Sequence, residues 1–464
     1  MPLPSSFWTD EIGTAFIVQR PADPSLAAVP QLPVSIYYAL PRAAGKLLGF
    51  SEIAYRLPSV LLMAIALFLI WQLAVRLIDP QAGWFAVFAC LAIADFNYYA
   101  ADARPYAFGI CVACASVYFL IRWLDSASWK FALLFLLFAA LLWRIQLVYW
   151  AFYPLFPIYT LLRLTRSSTR TGWFQAVGIY AALGLALLSV AFDAVNILHN
   201  AKAHVFAPLP RIRLLPGAVS LEIVALSGVC VWLTAQFLKW KIKRPASPGA
   251  LMLIGLWWLW TPLCLFAFSR LTGTVLFLPR YYSLALPGIA LAVTATAALY
   301  LPSAWWKQAA VLVAVAALLA GGHWSVLSFD HTQEDWRQAS SDADLAADDP
   351  DTPILAVSPY IEAQPPVWSP EYKLPGFLYA HLFVYPTRGK VYPLPSVYSR
   401  QGAIYAEALV RDTLARRSRF IIYGAVRNTA GWVTWFTARP EFAGWNISLN
   451  DSRAVAVVVF QKGF

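Results

Sequence analysis

Long apolar runs recur through the first two thirds of this chain and constrain its fold more than any other feature. A helix needs about 20 mostly apolar residues to cross the hydrocarbon core of a bilayer. Inside that core only helices or closed barrels satisfy the backbone hydrogen bonds, and runs of this length favour helices. The sequence therefore predicts a polytopic α-helical membrane protein with about ten spans. The runs are Leu57–Ile78, Gly83–Tyr99, Tyr106–Trp123, Trp129–Trp143, Val148–Leu162, Trp173–Val190, Leu221–Leu238, Leu251–Phe268, Tyr282–Leu301 and Ala309–Leu327.

The composition supports a membrane protein and divides the chain into two parts. Hydrophobic residues make up 60% of the chain and charged residues only 13%, unlike a soluble domain. From Phe329 onward there are 13 basic and 14 acidic residues, which leaves 22 basic and 10 acidic residues in the first 328 positions. A basic excess among membrane spans favours anionic lipid as a partner, so no nucleic-acid binding is expected.

Three segments differ in character. Residues 1–55 are polar and Pro-rich, with an amphipathic stretch over Ser35–Lys46, and are predicted to form a first extracytoplasmic loop. Residues 56–328 hold the spans. Residues 329–464 are predicted to form a small C-terminal α/β or α+β domain, because they combine one helix-like stretch with β-like apolar runs. These stretches are Glu334–Asp349 for the helix and Ile354–Val357, Phe420–Tyr423 and Ala454–Phe460 for the strands.

Basic residues predict the orientation in the membrane, because short cytoplasmic loops are enriched in Lys and Arg. One set of brief turns is dense in basic residues and contains only Asp79 and Asp125 as acids. Placing these turns inside puts the acidic loops and the C-terminal domain outside, in a bacterial inner (plasma) membrane. Counting the predicted spans back from these turns would place Met1 outside, so a further span upstream of Met1 is expected. The basic residues are Arg76, Arg122, Lys130, Arg163, Arg166, Arg170, Lys239, Lys241, Lys243, Arg244 and Lys307.

The cysteines offer no disulfide framework, because all five fall within predicted spans. Cys111 and Cys114 form a C-x-x-C motif, which is compatible with redox or metal chemistry. No further zinc ligands lie near them in the sequence. Packing of small side chains within a helix is the favoured interpretation.

Polar motifs between the spans occur in a characteristic order. The segment Gly49-Phe50-Ser51-Glu52-Ile53-Ala54-Tyr55-Arg56-Leu57-Pro58-Ser59 resembles the G-x-S-E-x-x-x-R-x-P-S start of a span in GT-C membrane glycosyltransferases. These are relatives of the protein O-mannosyltransferases and of the aminoarabinose transferases that modify lipid A. The other landmarks of the resemblance are Asp10-Glu11, Tyr98–Tyr106, Pro279–Tyr282 with Leu286-Pro287, and Glu334–Arg337. In one departure, Pro30-Gln31-Leu32-Pro33 stands where many relatives carry a His-Pro-Pro-Leu-Tyr motif.

The resemblance implies that Asp10 is the catalytic base and that Glu11 is its partner. Sugar transfer from a polyprenyl phosphate needs a carboxylate to take the acceptor proton and cations to hold the leaving phosphate. A helix N-terminal cap after Thr9 is the alternative for this acidic pair, and it is compatible with catalysis.

Candidate substrate-binding residues lie in other external loops. Asp102 could position the acceptor or a metal, and Arg104 could meet phosphate, with Tyr106 closing the same motif; a structural Asp–Arg pair is the alternative. Arg280, followed by Tyr281, suits bidentate contact with a lipid phosphate, and interfacial snorkelling is its alternative.

Three further polar residues have weaker assignments. Arg144 interrupts an apolar stretch and could pair with phosphate or Asp102, or it could be an ordinary helix-end arginine. His199 and His204 could bind a divalent metal together with an acid, but a solvated loop is favoured because no third ligand is defined. No residue is therefore assigned as a metal ligand, and a divalent metal remains open as a cofactor.

The resemblance implies an inverting glycosyltransferase that moves a monosaccharide from a polyprenyl-phosphate donor to a cell-envelope acceptor, and the predicted orientation places this reaction on the extracytoplasmic face. The acceptor could be a glycolipid, a polysaccharide or a protein. A nucleotide sugar is not expected as the direct donor, because Gly321-Gly322 lies within a span and lacks a nucleotide-binding context. The alternatives are a transporter or flippase of lipid-linked glycans and a non-catalytic membrane scaffold. The sugar, the acceptor, the metal dependence and the oligomeric state are left open.

Overall fold

The structure is a computed structural model that describes residues 2–29, 34–201, 208–242, 246–320 and 331–463. The Pro30–Pro33 segment and His204 lie outside the described residues, as does the side chain of His199. The chain divides into two compact units. We call Ser35–Tyr37 with Arg56–Leu327 the helical unit, and Met1–Val34, Tyr38–Tyr55 and Ser328–Phe464 the loop-and-tail unit.

The helical unit is built from apolar helices. It contains most of α3 and all of the helices that follow up to α14. Their bounds are α3 Glu52–Leu77, α4 Gly83–Leu91, α5 Ala94–Ala100, α6 Tyr106–Ser126, α7 Trp129–Ile145, α8 Leu155–Thr165, α9 Trp173–Ala201, α10 Leu215–Ala218, α11 Leu221–Phe237, α12 Pro248–Thr272, α13 Leu286–Ala298 and α14 Trp306–Ala320.

Five helical segments in the described part of the chain are long and apolar enough to cross a membrane, and a bent pair raises the number to six. About ten spans were expected from the sequence. The number is smaller because several apolar runs form short or broken helices: Gly83–Tyr99 breaks between α4 and α5, and α7 has only 17 residues. The five are Glu52–Leu77, Tyr106–Ser126, Leu147–Thr165, Trp173–Val195 and Pro248–Thr272, and the bent pair is Ile212–Ala218 with Leu221–Phe237.

Aromatic side chains and close backbone contacts hold these helices together. Trp123 is fully buried and its ring stacks on that of Phe135, with 5.8 Å between the centroids. The indole N–H of Trp257 donates to the carbonyl oxygen of Leu284 at 2.7 Å. A Cβ at Gly288 would lie 2.6 Å from the backbone of Trp257, so this crossing requires glycine.

The loop-and-tail unit combines two early helices with a small sheet domain. Helices α1 (Thr9–Gln19) and α2 (Ala39–Leu48) come from the first segment, and α2 overlaps the predicted amphipathic stretch. The tail adds α15 (Trp336–Ala346), α16 (Ala380–Val384), α17 (Arg400–Asp412) and α18 (Val426–Thr437). Its strands are β1 Pro353–Val357, β2 Lys390–Leu394, β3 Arg419–Ala425, β4 Asn446–Ser452 and β5 Val455–Gln461.

The sheet has the strand order β2-β1-β3-β5-β4. β1 pairs in parallel with β2 and β3, whereas β5 runs antiparallel to β3 and β4. The apolar runs of the central strands are buried because both faces of the sheet are covered. The prediction of a polytopic helical membrane protein with a small C-terminal sheet domain is confirmed.

Candidate active site

The acidic pair lies in the first turn of α1. Glu11 is fully buried, and its carboxylate accepts a hydrogen bond from the Trp8 N–H at 3.4 Å. This is the capping geometry that the sequence allowed as an alternative, because the third helical residue reaches back to the residue before the helix. Asp10 remains partly exposed. The two acids therefore differ in surroundings: Glu11 caps the helix, and Asp10 presents the more accessible carboxylate.

The second motif surrounds the start of α6. Asp102 is fully buried, and its backbone carbonyl accepts a hydrogen bond from the Ser59 hydroxyl at 2.6 Å. Arg104 is also buried, and Pro105 immediately precedes α6. The motif is therefore held inside the helical unit rather than in an open loop.

A tyrosine that the sequence analysis missed connects this motif to the late one. Tyr149 is fully buried and interacts electrostatically with Tyr106, Arg104 and Tyr281. A Cβ at Gly109 would lie only 2.3 Å from the Tyr149 ring, so glycine at that position makes room for it. The structure thus places Arg104, Tyr106 and Tyr281 in the neighbourhood of Tyr149. No local motif marks Tyr149, because its role depends on contacts with distant segments.

The late motif is a short 3-10 turn, Pro279–Tyr281. Arg280 is half-buried, and its guanidinium carbon lies 5.4 Å from the centroid of the Tyr281 ring. The Ser283 hydroxyl donates to the Arg280 carbonyl oxygen at 3.0 Å and fixes the turn. A guanidinium over an aromatic face is held there by cation–π attraction.

A polar cavity of about 140 Å³ opens beside this turn. Most of its polar side chains were not predicted as site residues, although Asp95 interrupts an apolar run and could have been noticed for that reason. Asp95 interacts electrostatically with Tyr99 and Tyr282. Hydroxyl and carboxylate groups gathered in an apolar helical unit make this cavity a candidate part of the site. The polar lining residues are Asp95, Tyr99, Ser220, Tyr282 and Ser283.

Arg144 occupies a different place. It lies at the exposed end of α7 and donates to the Ser189 hydroxyl at 2.9 Å and to the Ala186 carbonyl at 3.4 Å. These contacts are those of a helix-end arginine that ties α7 to α9.

Glu11 and His331 offer two donors that a divalent ion could use. A carboxylate oxygen of Glu11 and a ring nitrogen of His331 lie within 4.8 Å of each other. Oxygen and imidazole donors suit several divalent ions. Two ligands do not define a coordination geometry, so this pair supports no assignment of a particular metal.

Comparisons with known proteins show what the chain resembles. Residues 33–195 match the model of the family described as dolichyl-phosphate-mannose-protein mannosyltransferase. No curated protein sequence gives a significant match to the chain. The matched residues include two of the landmarks, Gly49–Ser59 and Tyr98–Tyr106, and the resemblance to GT-C membrane glycosyltransferases is confirmed over that part of the chain.

Solved structures extend the likeness over nearly the whole chain. The crystal structure of ArnT from Cupriavidus metallidurans in the apo state has a TM-score of 0.56 and 14% sequence identity, covering 98% of this chain and 94% of that chain. The structure of the same protein bound to undecaprenyl phosphate gives the same score and identity, and covers 98% and 95%. At this level of identity the comparison establishes an ArnT-like fold.

Proposed function

We propose that this protein is an inverting glycosyltransferase that moves a monosaccharide from a polyprenyl-phosphate donor to a cell-envelope acceptor on the extracytoplasmic face. The observation that supports it best is the set of charged and hydroxyl groups inside an apolar helical unit, within a chain of ArnT-like fold. Buried ions in such a unit are costly unless they are paired, and a charged substrate is one such partner. A lipid-linked sugar phosphate supplies both the anion and the hydroxyl groups.

The proposed reaction is a single displacement. Asp10 takes the proton of the acceptor hydroxyl, whose oxygen attacks the anomeric carbon of the donor. The bond between that carbon and the phosphate oxygen breaks, and the phosphate leaves with its negative charge. One displacement inverts the anomeric configuration.

The leaving phosphate requires cations that are already oriented when its charge develops. Arg280 is assigned this contact because its guanidinium is half-buried and stacked beside Tyr281. Arg104 is assigned a second contact, and Asp102 and Tyr106 are assigned to substrate positioning. The acceptor is proposed to be a glycolipid, a polysaccharide or a protein.

The transport alternative receives little support. Transporters built from repeats have pairs of broken helices at corresponding positions. In the described ranges one helix pair is bent, by 53°, and it has no counterpart there.

Transfer assays on the purified protein test the proposal. Polyprenyl-phosphate sugars extracted from membranes serve as donors, and mass spectrometry follows their consumption with membrane glycolipids as acceptors. Asp10→Asn is expected to remove most of the activity, about 10²-fold or more, because amide cannot take the proton. Normal turnover by folded Asp10→Asn protein would refute the assignment of the base.

Arg280→Lys is expected to weaken transfer although the positive charge is kept. The planar guanidinium can contact a phosphate with two N–H groups at once, whereas the lysine ammonium acts as a point charge.

A further inference from the structure

The residues that lead into α1 are held by side chains from the tail. Glu334 accepts two hydrogen bonds from Thr9, one from the backbone N–H and one from the hydroxyl, each at 2.7 Å. The same carboxylate oxygen accepts the indole N–H of Trp336 at 3.0 Å. Thr9 is the first residue of α1 and immediately precedes Asp10. Glu334 is thus a capping carboxylate for α1, supplied from 325 residues away.

Glu334 is itself anchored to the sheet domain. It forms an isolated β-bridge with Arg453, and the Ala454 N–H donates to the Gln333 carbonyl at 2.8 Å. These backbone bonds connect the capping residue to the β4–β5 hairpin. Thr9 is therefore linked through Glu334 to the turn of the β4–β5 hairpin in the sheet domain.

Arg337 holds the segment before α1 at a second point. Its guanidinium forms an ion pair with the Glu52 carboxylate and donates to the Pro4 carbonyl at 3.2 Å. The Arg337 backbone N–H donates to the Ser6 hydroxyl at 3.2 Å. One residue of the tail thereby joins the N-terminal segment to Glu52, the motif glutamate at the first position of α3.

Two tyrosines complete the arrangement. The Tyr385 hydroxyl accepts the Phe7 N–H at 2.9 Å and donates to Glu52 at 2.7 Å. The Tyr360 hydroxyl donates to the Thr9 carbonyl at 2.9 Å. Together with Arg337 and Glu334, these contacts bind the backbone on both sides of Trp8.

We propose that Glu334 and Arg337 are positioning residues that fix the carboxylate of Asp10 for proton transfer. This inference rests on the proposed function for the step it affects. The contacts form a network of charge-assisted hydrogen bonds, which are about twice as strong as neutral ones. Displacement of a catalytic group by about 1 Å can cost on the order of 10²-fold in rate, so a holding network of this kind determines turnover without touching substrate.

Hydrogen exchange tests the positioning directly and needs no substrate. In the full-length protein in detergent, Glu334→Ala and Arg337→Ala are expected to raise amide exchange over residues 4–19 by about tenfold or more, because the opened state becomes more populated. Arg439→Ala is the matched control: Arg439 also pairs with a glutamate of the tail, Glu407, and packs over Trp435. It should leave residues 4–19 unchanged. Wild-type exchange in both Glu334→Ala and Arg337→Ala would overturn the inference.

Kinetics then separates positioning from chemistry. Glu334→Gln keeps the shape of the side chain, so it is expected to fold and to lower kcat about tenfold with little change in the KM for donor. A general loss of folding would instead lower active protein without changing the KM or kcat of the remaining fraction. If Asp10→Asn stays active while Glu334→Ala raises amide exchange over residues 4–19, the assigned base is wrong, but Glu334 does stabilise the start of α1. A raised donor KM with unchanged kcat in Glu334→Gln would contradict the positioning role.

Discussion

At the scale of single residues, His381 shows how an internal polar group can limit the pH range of this protein. It is fully buried between Trp336 and Tyr423, with ring centroids 4.7 and 5.4 Å away. Within the described part of the chain, neither ring nitrogen has a hydrogen-bond partner. Burial lowers the pKa of His381 to about 3. His381 also lies on α16, the helix that packs against α1.

Acid is therefore expected to destabilise the loop-and-tail unit through His381. An unfolded histidine has a pKa of about 6.5, so between pH 6.5 and 3 the unfolded chain binds a proton that the folded chain excludes. The unfolding free energy should fall by up to about 1.4 kcal/mol per pH unit in that window, and by nothing above it. Thermal unfolding followed by tryptophan fluorescence at pH 7 and pH 5 measures this loss.

His381→Leu is the comparison for this measurement, because leucine fills the site without titrating. The variant should lose less stability than the wild type between the two pH values, whatever its stability at pH 7. An equal loss in both proteins would show that His381 does not control the acid sensitivity.

At the scale of elements, ion pairs fasten helix ends in the helical unit. Asp125, near the end of α6, accepts from Arg76 of α3 at 3.0 Å and from Arg163 of α8 at 2.9 Å. Arg163 also donates to the Tyr159 hydroxyl at 3.0 Å. One carboxylate thus joins three helices. The group is partly exposed, so solvent screens its contribution.

Removal of the shared acid is expected to loosen this end of the unit. Asp125→Asn leaves two arginines close together without a counter-charge, and the expected loss is about 1 kcal/mol after screening. It should appear as a lower unfolding temperature in detergent and as faster exchange at the ends of α6 and α8. Asp412→Asn serves as the control, because that acid pairs with exposed Arg411 next to it on the surface of the tail. Equal effects of the two substitutions would argue against the bridging role.

At the scale of the whole molecule, contacts within the loop-and-tail unit constrain the topology. Thr9 and Glu334 are hydrogen-bonded although 325 residues separate them. A bilayer cannot lie between two bonded residues, so the first loop and the tail must be on the same side of the membrane. The basic turns predict that this side is the extracytoplasmic one.

Thiol labelling checks that orientation. In a parent protein whose five cysteines are replaced by alanine, Ser418→Cys should react with a membrane-impermeant reagent in intact spheroplasts, because Ser418 is exposed in the tail. Lys130→Cys, in a basic turn, should react only after the membrane is permeabilised. The reverse pattern would place the tail and Asp10 in the cytoplasm, where the proposed reaction has no support.

The sequence by itself determined the class of protein, because the signals for it are local. Apolar runs indicated membrane helices, and the runs Ile354–Val357 and Phe420–Tyr423 correspond to β1 and β3. The acidic pair was placed correctly at the start of a helix, since acids in a first helical turn are a local signal.

Tertiary structure decided the features that depend on distant contacts. It divided the apolar runs into fewer long helices than expected, because chain breaks such as the one between α4 and α5 follow from packing. It also brought Tyr149 to Arg104, Tyr106 and Tyr281, and Glu334 to Thr9. Hydrophobic periodicity carries no information about such pairs, because the energy that joins them arises only when segments hundreds of residues apart come into contact.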